Sequence, residues 1–499
     1  MDLLNNLLTG FGEAVTPANL LYCLLGCLLG TLIGVLPGIG PAAALAMLLP
    51  LTLTLDPTGA LIMMAGIYYG SQYGGSTTAI LINVPGENSS VITAIDGYQM
   101  ARQGRGGVAL ATAALGSFFA GSVATLLIAA FAMPLSRLAL SFTAPDYFAL
   151  MVLGLVTAVV LASGSLVKAL GMVVVGALIG IVGIDPNSGT PRFTFGAFEL
   201  LEGVDFVVVA VGLFGLGEIM RNLTSPQDQN TDARQINRLI PNRAELRRAA
   251  PAVLRGTALG SFLGILPGGG AIIASVAAYS LEKKVSKTPD QFGKGAIEGV
   301  AAPEAANNAG AQVSFIPMLT LGLPTNVIMA MMIAVLVVHG IQPGPTVIHR
   351  QPELFWGLIA SMWVGNVILV ILNLPLVGIW VRLVTIPYRL LFPAIIAFAM
   401  IGVYGALLAP FHIWLVGLFG LMGFVLARLD CEPAPLLLGL VLGPFLEEYL
   451  RRALAISNGD PMVFLTRPIS ATLLGLSVLL IIAVSNAGLR ARRDEAFRE

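Results

Sequence analysis

A short stretch in the second half of the chain places a carboxylate and two amides at helical spacing. Within PEAANNAG (303–310), Glu304, Asn307 and Asn308 occupy positions i, i+3 and i+4, so they share one face if the segment is helical. Polar and ionisable groups inside an apolar bundle are costly, and they usually face its interior or a solute path. Such residues could bind a solute or a cation. The alternative is a structural role, as a helix cap or in hydrogen bonds between helices.

Each half of the chain also contains a proline-containing segment after which a helix would start inside an apolar region. These segments are NVPGENS (83–89) and GLPTN (322–326). A helix start presents unpaired backbone N–H groups and about half a positive charge, so it attracts a carboxylate without an arginine. We therefore predict that the two segments contact solute or cation through Asn83, Pro85, Gly86, Glu87, Asn88, Ser89, Gly322, Pro324, Thr325 and Asn326.

Oxygen-bearing side chains beside these starts extend the predicted site. We expect five residues to line the same region: Ser76, Thr77, Glu304, Asn307 and Asn308. Loosened carbonyls and side-chain oxygens at a broken helix can hold Na⁺ or relay H⁺, which predicts a coupling cation near Asn83 and Asn326 and no other cofactor. The three cysteines and three histidines lack metal-ligand spacing. For Ser89, an ordinary helix N-cap is the alternative role.

Composition indicates which elements hold these residues. Of 499 residues, 56% are hydrophobic and 11% charged, and the mean hydropathy is +0.87. Apolar runs of roughly 20 residues, long enough to cross a bilayer, recur along the chain. The sequence therefore predicts an all-α polytopic membrane protein with about 10–12 transmembrane helices and additional re-entrant or broken helical hairpins. The net charge of zero gives no basic field for nucleic acid.

Two clusters of proline and glycine interrupt the apolar runs. They are GVLPGIGP (34–41) and GILPGGG (264–270), and both would break a helix. We expect Gly38, Gly40, Gly268 and Gly270 to shape the backbone there rather than to contribute side chains. The apolar arm after the first break, AALAMLLPLTLTL (43–55), is short for a full crossing, which favours a re-entrant or discontinuous helix. Close helix packing is the alternative use of these glycines.

The two breaks and the polar segments after them recur in the same order, which indicates an internal duplication. Broken helices in corresponding positions are typical of secondary transporters with inverted repeats. The predicted organisation is an interfacial segment (1–16), a first membrane repeat (17–222), a basic linker (223–249), a second repeat (250–488) and a tail (489–499). The arginine-rich linker and tail are expected on the cytoplasmic side. If both repeats end on the same side of the membrane, strict inversion requires that part of the linker or an arm helix lies along the membrane interface.

The motifs GVLPGIGP, YYGSQYGGSTTAILINVPGE, DGYQMARQG, GILPGGGA, KGAIEGVAAPEAANNA and GLPTN occur in this order. Together they resemble the large membrane permease subunit of the tripartite tricarboxylate transporters, the TctA family, over nearly the full length. The resemblance implies a bacterial inner-membrane permease that works with a small TctB-like membrane subunit and a periplasmic solute-binding protein. It also implies uptake of citrate-like carboxylates, driven by a cation gradient, with an elevator-like motion by analogy.

The function predicted from sequence is therefore import of tricarboxylates or related carboxylates by alternating access, coupled to Na⁺ or H⁺, without enzymatic activity. A passive anion channel is the first alternative, and dependence of uptake on an imposed ion gradient would separate the two. An intramembrane enzyme is the second alternative, but it would need a paired acid or an activated nucleophile, and the sequence shows neither pattern. An ion-translocating subunit of a respiratory complex would repeat lysines and acids inside its spans, whereas Lys168 alone is flanked by long apolar runs.

Overall fold

The chain folds almost entirely into α-helices, several of which stop and restart at the predicted breaks. The computed structural model describes residues 3–36, 40–84, 86–162, 165–185, 187–224, 238–266, 270–384 and 388–485. The helices of the first half are α1 (Leu3–Ala14), α2 (Pro17–Gly34), α3 (Pro41–Thr52), α4 (Pro57–Ile82), α5 (Val91–Arg102), α6 (Gly106–Ala139), α7 (Ala144–Leu161), α8 (Leu166–Gly180), α9 (Phe206–Ala210) and α10 (Gly217–Thr224). A π-helical stretch, Val211–Leu216, joins α9 to α10.

The second half continues in the same way. Its helices are α11 (Arg243–Leu263), α12 (Gly270–Val285), α13 (Glu298–Val313), α14 (Phe315–Leu321), α15 (Val327–Val338), α16 (Val347–Arg350), α17 (Pro352–Asn373), α18 (Val377–Val384), α19 (Tyr388–Leu407), α20 (Pro410–Arg428), α21 (Pro433–Ile456), α22 (Val463–Thr466) and α23 (Pro468–Ser485). Short 3-10 helices cover Asn88–Ser90, Phe198–Leu200 and Pro289–Gln291, and two short antiparallel strands are β1 (Gly183–Ile184) and β2 (Pro191–Arg192).

Length and composition confirm the prediction of an all-α polytopic membrane protein. Among the described residues, five helical stretches are long and apolar enough to cross a membrane: Pro17–Gly34, Gly106–Ala139, Phe206–Thr224, Pro352–Asn373 and Pro410–Arg428. Shorter apolar helices accompany them, including α3 and α15. The shortness of α3 follows from the break before it and from Asp56, which caps α4 by accepting a hydrogen bond from the Gly59 amide.

Glycines decide how the first interrupted helices pack. A methyl group on Gly26 of α2 would lie 2.4 Å from the Met63 carbonyl oxygen, and one on Gly30 would lie 2.3 Å from that of Ile67. Because both pairs advance in the same direction, α2 and α4 run parallel and in backbone contact. Small residues at four-residue spacing are how membrane helices approach this closely.

The second half repeats this packing. A methyl group on Gly256 of α11 would lie 2.3 Å from the Ala302 carbonyl oxygen of α13, and one on Gly260 would lie 2.3 Å from that of Ala306. The helices α11 and α13 are therefore also parallel. In the first half, α2 packs against α4, which carries Ser76 and Thr77. In the second half, α11 packs against α13, which carries Glu304.

Basic residues concentrate at one end of the molecule. This end, called the basic end below, comprises residues 102–105, 238–248 and 283–298. Ion pairs hold it together, since Arg105 Nη2 lies 3.1 Å from Glu245 Oε1 and Arg248 Nε lies 2.7 Å from Glu298 Oε1. The helix α11 begins here, inside the range predicted as the linker, because the Asn242 side chain caps it.

Two helical hairpins, α2–α3 and α11–α12, enter the bundle from opposite ends. The α11–α12 hairpin starts and finishes near the basic end, where Arg255 Nη2 donates to Glu282 Oε2 at 2.8 Å. The helix α4 finishes near the basic end, since Leu81 shares an apolar cluster with Met100 and Val108. Because α2 runs parallel to α4, the α2–α3 hairpin enters from the other end.

Candidate functional site

A cavity of about 250 Å³ lies where the interrupted helices meet. Helix starts contribute much of its wall: Pro41 and Ala42 of α3, Glu87 and Ser89 before α5, Gly270–Ile272 of α12, and Thr325–Ile328 at α15. The remaining wall includes Tyr68, Gln72, Gly264, Gly310, Ser314, Phe214, Ala158 and the start of α21. The starts of five helices from both halves, α3, α5, α12, α15 and α21, therefore border one space. Sequence analysis assigned residues at the starts of α5 and α15 to the site. It also predicted the helix breaks before α3 and α12, but it gave the glycines there only a role in shaping the backbone.

The helix starts differ in how their first turns are capped. Gly40 before α3 has no side chain that could cap that helix. The helical segment that leads into α5 begins at Glu87, which forms a capping box with Ser90. At α15, Asn326 Oδ1 accepts a hydrogen bond from the Met329 amide at 2.9 Å. Since the first N–H groups of a helix have no intrahelical partner, uncapped starts leave donors for a bound anion.

Glu87 brings a carboxylate to the cavity wall. Its Oε1 accepts hydrogen bonds from Ser89 Oγ at 2.7 Å and from Asn307 Nδ2 at 2.7 Å. Ser89 is therefore a partner of Glu87 and not the helix N-cap that its type suggested. These contacts bring together three residues that the sequence analysis placed in one region. They also tie the start of α5 to α13.

Gln72 is a cavity residue that the sequence analysis missed. It is 1% exposed, and its Oε1 is buried with no hydrogen-bond partner in the described structure. The hydroxyl of Tyr68, one turn earlier, faces Gln72, Ser314 and Asn326. A buried acceptor without a partner indicates a donor or cation that binds there. Tyr68, Gln72 and Ser76 follow one another at four-residue spacing, so helical periodicity would have found them.

Glu304 is a second buried carboxylate, 1% exposed. It accepts hydrogen bonds from Ser76 Oγ at 2.8 Å and from Thr93 Oγ1 at 2.6 Å, while Ser117 Oγ lies 3.5 Å away. In the described part of the chain, neither Glu304 nor Glu87 makes an ion pair, and hydroxyl and amide groups surround both. An ionised carboxylate buried without a counter-charge is expensive, so Glu304 needs a proton or a cation. Glu87 is half-buried at the cavity wall, where the same cost applies in part.

Asn308, the remaining polar residue of PEAANNAG, makes a hydrogen bond between helices, which was the structural alternative for this segment. Asn308 Nδ2 donates to Ser117 Oγ at 2.7 Å and to its own helix at the Glu304 carbonyl. Thr77, at the small cavity beside Glu304, donates its hydroxyl back to the Tyr73 carbonyl at 3.1 Å. Sequence reasoning had no signal for Thr93 or Ser117, since both meet Glu304 across more than 180 residues of chain.

Several predicted residues lie outside the cavity wall. Asn83 is exposed, ends α4 with a φ of 57° and is not among the residues that line the cavity. Gly86 packs tightly, and a methyl group there would lie 2.4 Å from the Gly75 Cα. Gly322 ends α14 with a φ of 68°, and Pro324 lies in the turn that follows. Asn88 opens the 3-10 helix Asn88–Ser90.

The glycines predicted to shape the backbone divide in two. Gly270 is sterically required, because a methyl group would lie 2.4 Å from the Leu263 carbonyl oxygen. Gly40 has a φ of −74° and room for a side chain, so its backbone does not demand glycine. Gly38, Gly268 and Pro85 lie outside the described residues. No group of three or more His, Cys, Asp or Glu gathers to bind a metal within the described ranges.

Comparison with known proteins gives the family of the chain. The model of the tripartite tricarboxylate transporter TctA family matches residues 20–438. The chain belongs to this family. A relative in Agrobacterium vitis, described as an uncharacterised 52.8 kDa protein in the TAR-I ttuC′ 3′ region, is 59% identical over 499 residues, which covers 100% of this chain and 99% of the relative.

A second relative gives a partial match. This Agrobacterium vitis protein, described as an uncharacterised protein in the TAR-II ttuC′ 3′ region, is 58% identical over 240 residues, which is 48% of this chain and 99% of the relative. No solved structure matches the chain. The chain is thus a multi-pass membrane protein of a family of tricarboxylate transporter permeases, and the resemblance predicted from its motifs is confirmed.

Proposed function

We propose that this chain is the permease of a binding-protein-dependent secondary transporter that imports tricarboxylates or related carboxylates and holds the solute in the 250 Å³ cavity. The observation that carries this proposal is the meeting of five helix starts around one space. Each start offers about half a positive charge, so five starts supply roughly two and a half, and the carboxylates of Glu87 and Glu432 line the same wall. This suits a solute with two or more carboxylates, and arginine is absent from the described cavity wall.

The carboxylate of Glu87 in the cavity wall connects solute binding to a cation gradient. An ionised Glu87 would repel a carboxylate solute across a space of low dielectric constant. A proton or a Na⁺ ion at Glu87 or beside it removes that repulsion, so solute affinity rises when the cation is bound. Cation-coupled uptake follows from this linkage, and the gradient that drives it is Na⁺ or H⁺.

The hairpin geometry supports alternating access through two inverted repeats. The α2–α3 and α11–α12 hairpins enter from opposite ends and pack on their partner helices in the same parallel way. Broken helices related in this manner surround the midplane site of secondary transporters. We infer an elevator-like motion in which the hairpin tips alternately shield the cavity, by analogy with transporters of that architecture.

The partners and orientation follow from the family and the charge distribution. Permeases of tripartite transporters act with other components, and we propose that these are a periplasmic solute-binding protein and a small TctB-like membrane subunit. The basic end is assigned to the cytoplasm because lysine and arginine concentrate on that side of membrane proteins. We propose that the chain lies in the bacterial inner membrane, with the α2–α3 hairpin on the periplasmic side.

The test is uptake of radiolabelled citrate and other di- and tricarboxylates into cells that express the chain with both partners. We expect accumulation that requires an inward Na⁺ or H⁺ gradient and the binding protein. Equilibration without accumulation under every gradient would identify a passive anion channel. Absence of uptake for every carboxylate, with the permease shown to be present in the membrane, would refute the proposal.

A further inference from the structure

A cavity of about 10 Å³ lies beside Glu304, apart from the larger cavity. Ser76, Ser117 and Asn373 line it together with the Glu304 carboxylate. Asn373 is 7% exposed, and its Oδ1 is buried without a hydrogen-bond partner in the described structure. The amide orientation is set by its nitrogen, which donates to the Leu369 carbonyl at 2.9 Å. A space for about one water-sized particle is thus bordered by oxygen-bearing side chains and a carboxylate, together with the apolar side chains of Leu110, Ala113 and Ala114.

We propose that this small cavity is a Na⁺ site, formed by Glu304, Ser76, Ser117 and Asn373, and that it binds a coupling ion of the proposed transport reaction in addition to the proton or cation at Glu87. A cation supplies the counter-charge that Glu304 lacks and a partner for Asn373 Oδ1. All the ligand atoms are oxygens, as a hard cation requires. Thr93 Oγ1, bonded to Glu304 at 2.6 Å, completes the surroundings of the carboxylate.

The donor set selects a monovalent ion. Calcium takes six to eight oxygen ligands and is usually held by several carboxylates, whereas this site has one. Magnesium keeps several of its waters, for which a cavity of about 10 Å³ has no room. One carboxylate and one Na⁺ give a neutral pair, which is the arrangement that burial favours.

A chain of contacts links this site to the solute cavity. Thr93 lies in α5, and the segment that leads into α5 carries Glu87 at the cavity wall. Asn307, almost one turn after Glu304 in α13, donates to Glu87 at 2.7 Å. An ion that fixes Glu304 and Thr93 therefore also fixes Glu87 and the start of α5. Occupation of the small cavity is thereby coupled to the shape of the larger one.

The experiment measures thermal unfolding of the purified full-length permease in NaCl and in choline chloride at equal ionic strength. A ligand that binds only the folded state raises stability with its concentration. We expect the unfolding midpoint of the wild type to rise with Na⁺, and this rise to be lost in Glu304→Gln and Asn373→Ala. Thr112→Val removes a buried hydroxyl on α6 that bonds only to its own helix, and it should keep the full Na⁺ response.

Two outcomes would overturn the inference. One is a Na⁺ response that persists unchanged in both Glu304→Gln and Asn373→Ala. The other is a wild-type midpoint that is indifferent to Na⁺ and responds only to pH, which would make Glu304 a proton carrier and the small cavity a water site. The experiment measures the stability of the permease in the absence of solute. Its result therefore does not depend on whether carboxylate uptake is observed.

Discussion

Replacing Asn326 separates its role as a helix cap from a role in solute binding. The Asn326 side chain caps α15 and borders the cavity, so Asn326→Ala removes both contributions. Asn326→Ser keeps an oxygen suited to the cap position but removes the amide from the cavity. If the amide binds solute, both variants lose uptake; if it only caps the helix, Asn326→Ser transports normally.

The magnitudes follow from the two interactions. Loss of an N-cap costs about 1 kcal/mol of stability, which applies to Asn326→Ala alone. A hydrogen bond to a charged group contributes about 1.5–3 kcal/mol, which corresponds to a roughly 10- to 150-fold drop in uptake at low solute concentration. We therefore expect both variants to lose uptake by such a factor, while Asn326→Ser unfolds near the wild-type temperature.

The assay is the initial rate of radiolabelled carboxylate uptake, divided by the amount of permease in the membrane. Asn242 gives a matched control, because it caps α11 in the same way at the basic end, with its Oδ1 accepting from the Glu245 amide at 2.8 Å. Asn242→Ala should lose a similar stability and keep its uptake per molecule. Wild-type uptake by Asn326→Ser would refute a contact between this amide and the solute.

Two further predictions concern stability. Gly30→Ala should lower the unfolding midpoint of the purified permease, since its methyl group would meet the α4 backbone and overpacking typically costs about 1–3 kcal/mol, while Gly171→Ala has open space and should be neutral or stabilising. Outside the membrane, hydrogen bonds from Ser188 and the charge of Arg192 hold the pKa of Asp185 well below its usual value of about 3.9. Its contribution to stability is therefore present above that pH and is lost as the pH falls through the lower folded-state pKa. The midpoint difference between wild type and Asp185→Asn should shrink as thermal unfolding is repeated from about pH 7 towards pH 3, and a constant difference would contradict this role.

The sequence by itself determined the class of protein and where its helices break. Apolar run length, proline and glycine act within a few residues, so α2, α6 and the starts of α5 and α15 fall where these local signals place them. For the same reason, helical spacing correctly placed Glu304 and Asn308 on one helix, which is α13. The motifs identified the family because they are long and occur in the family's order along the chain.

Only the tertiary structure decided which of these residues meet. The contacts of Glu304 with Ser76 and Thr93 span more than 200 residues, and no local pattern encodes a partner at that distance. Glycines allow backbone contact between α2 and α4 and between α11 and α13. The starts of α3 and α12 border the cavity, whereas Asn83 is exposed. Helix starts are local in sequence, but their meeting depends on how whole helices pack.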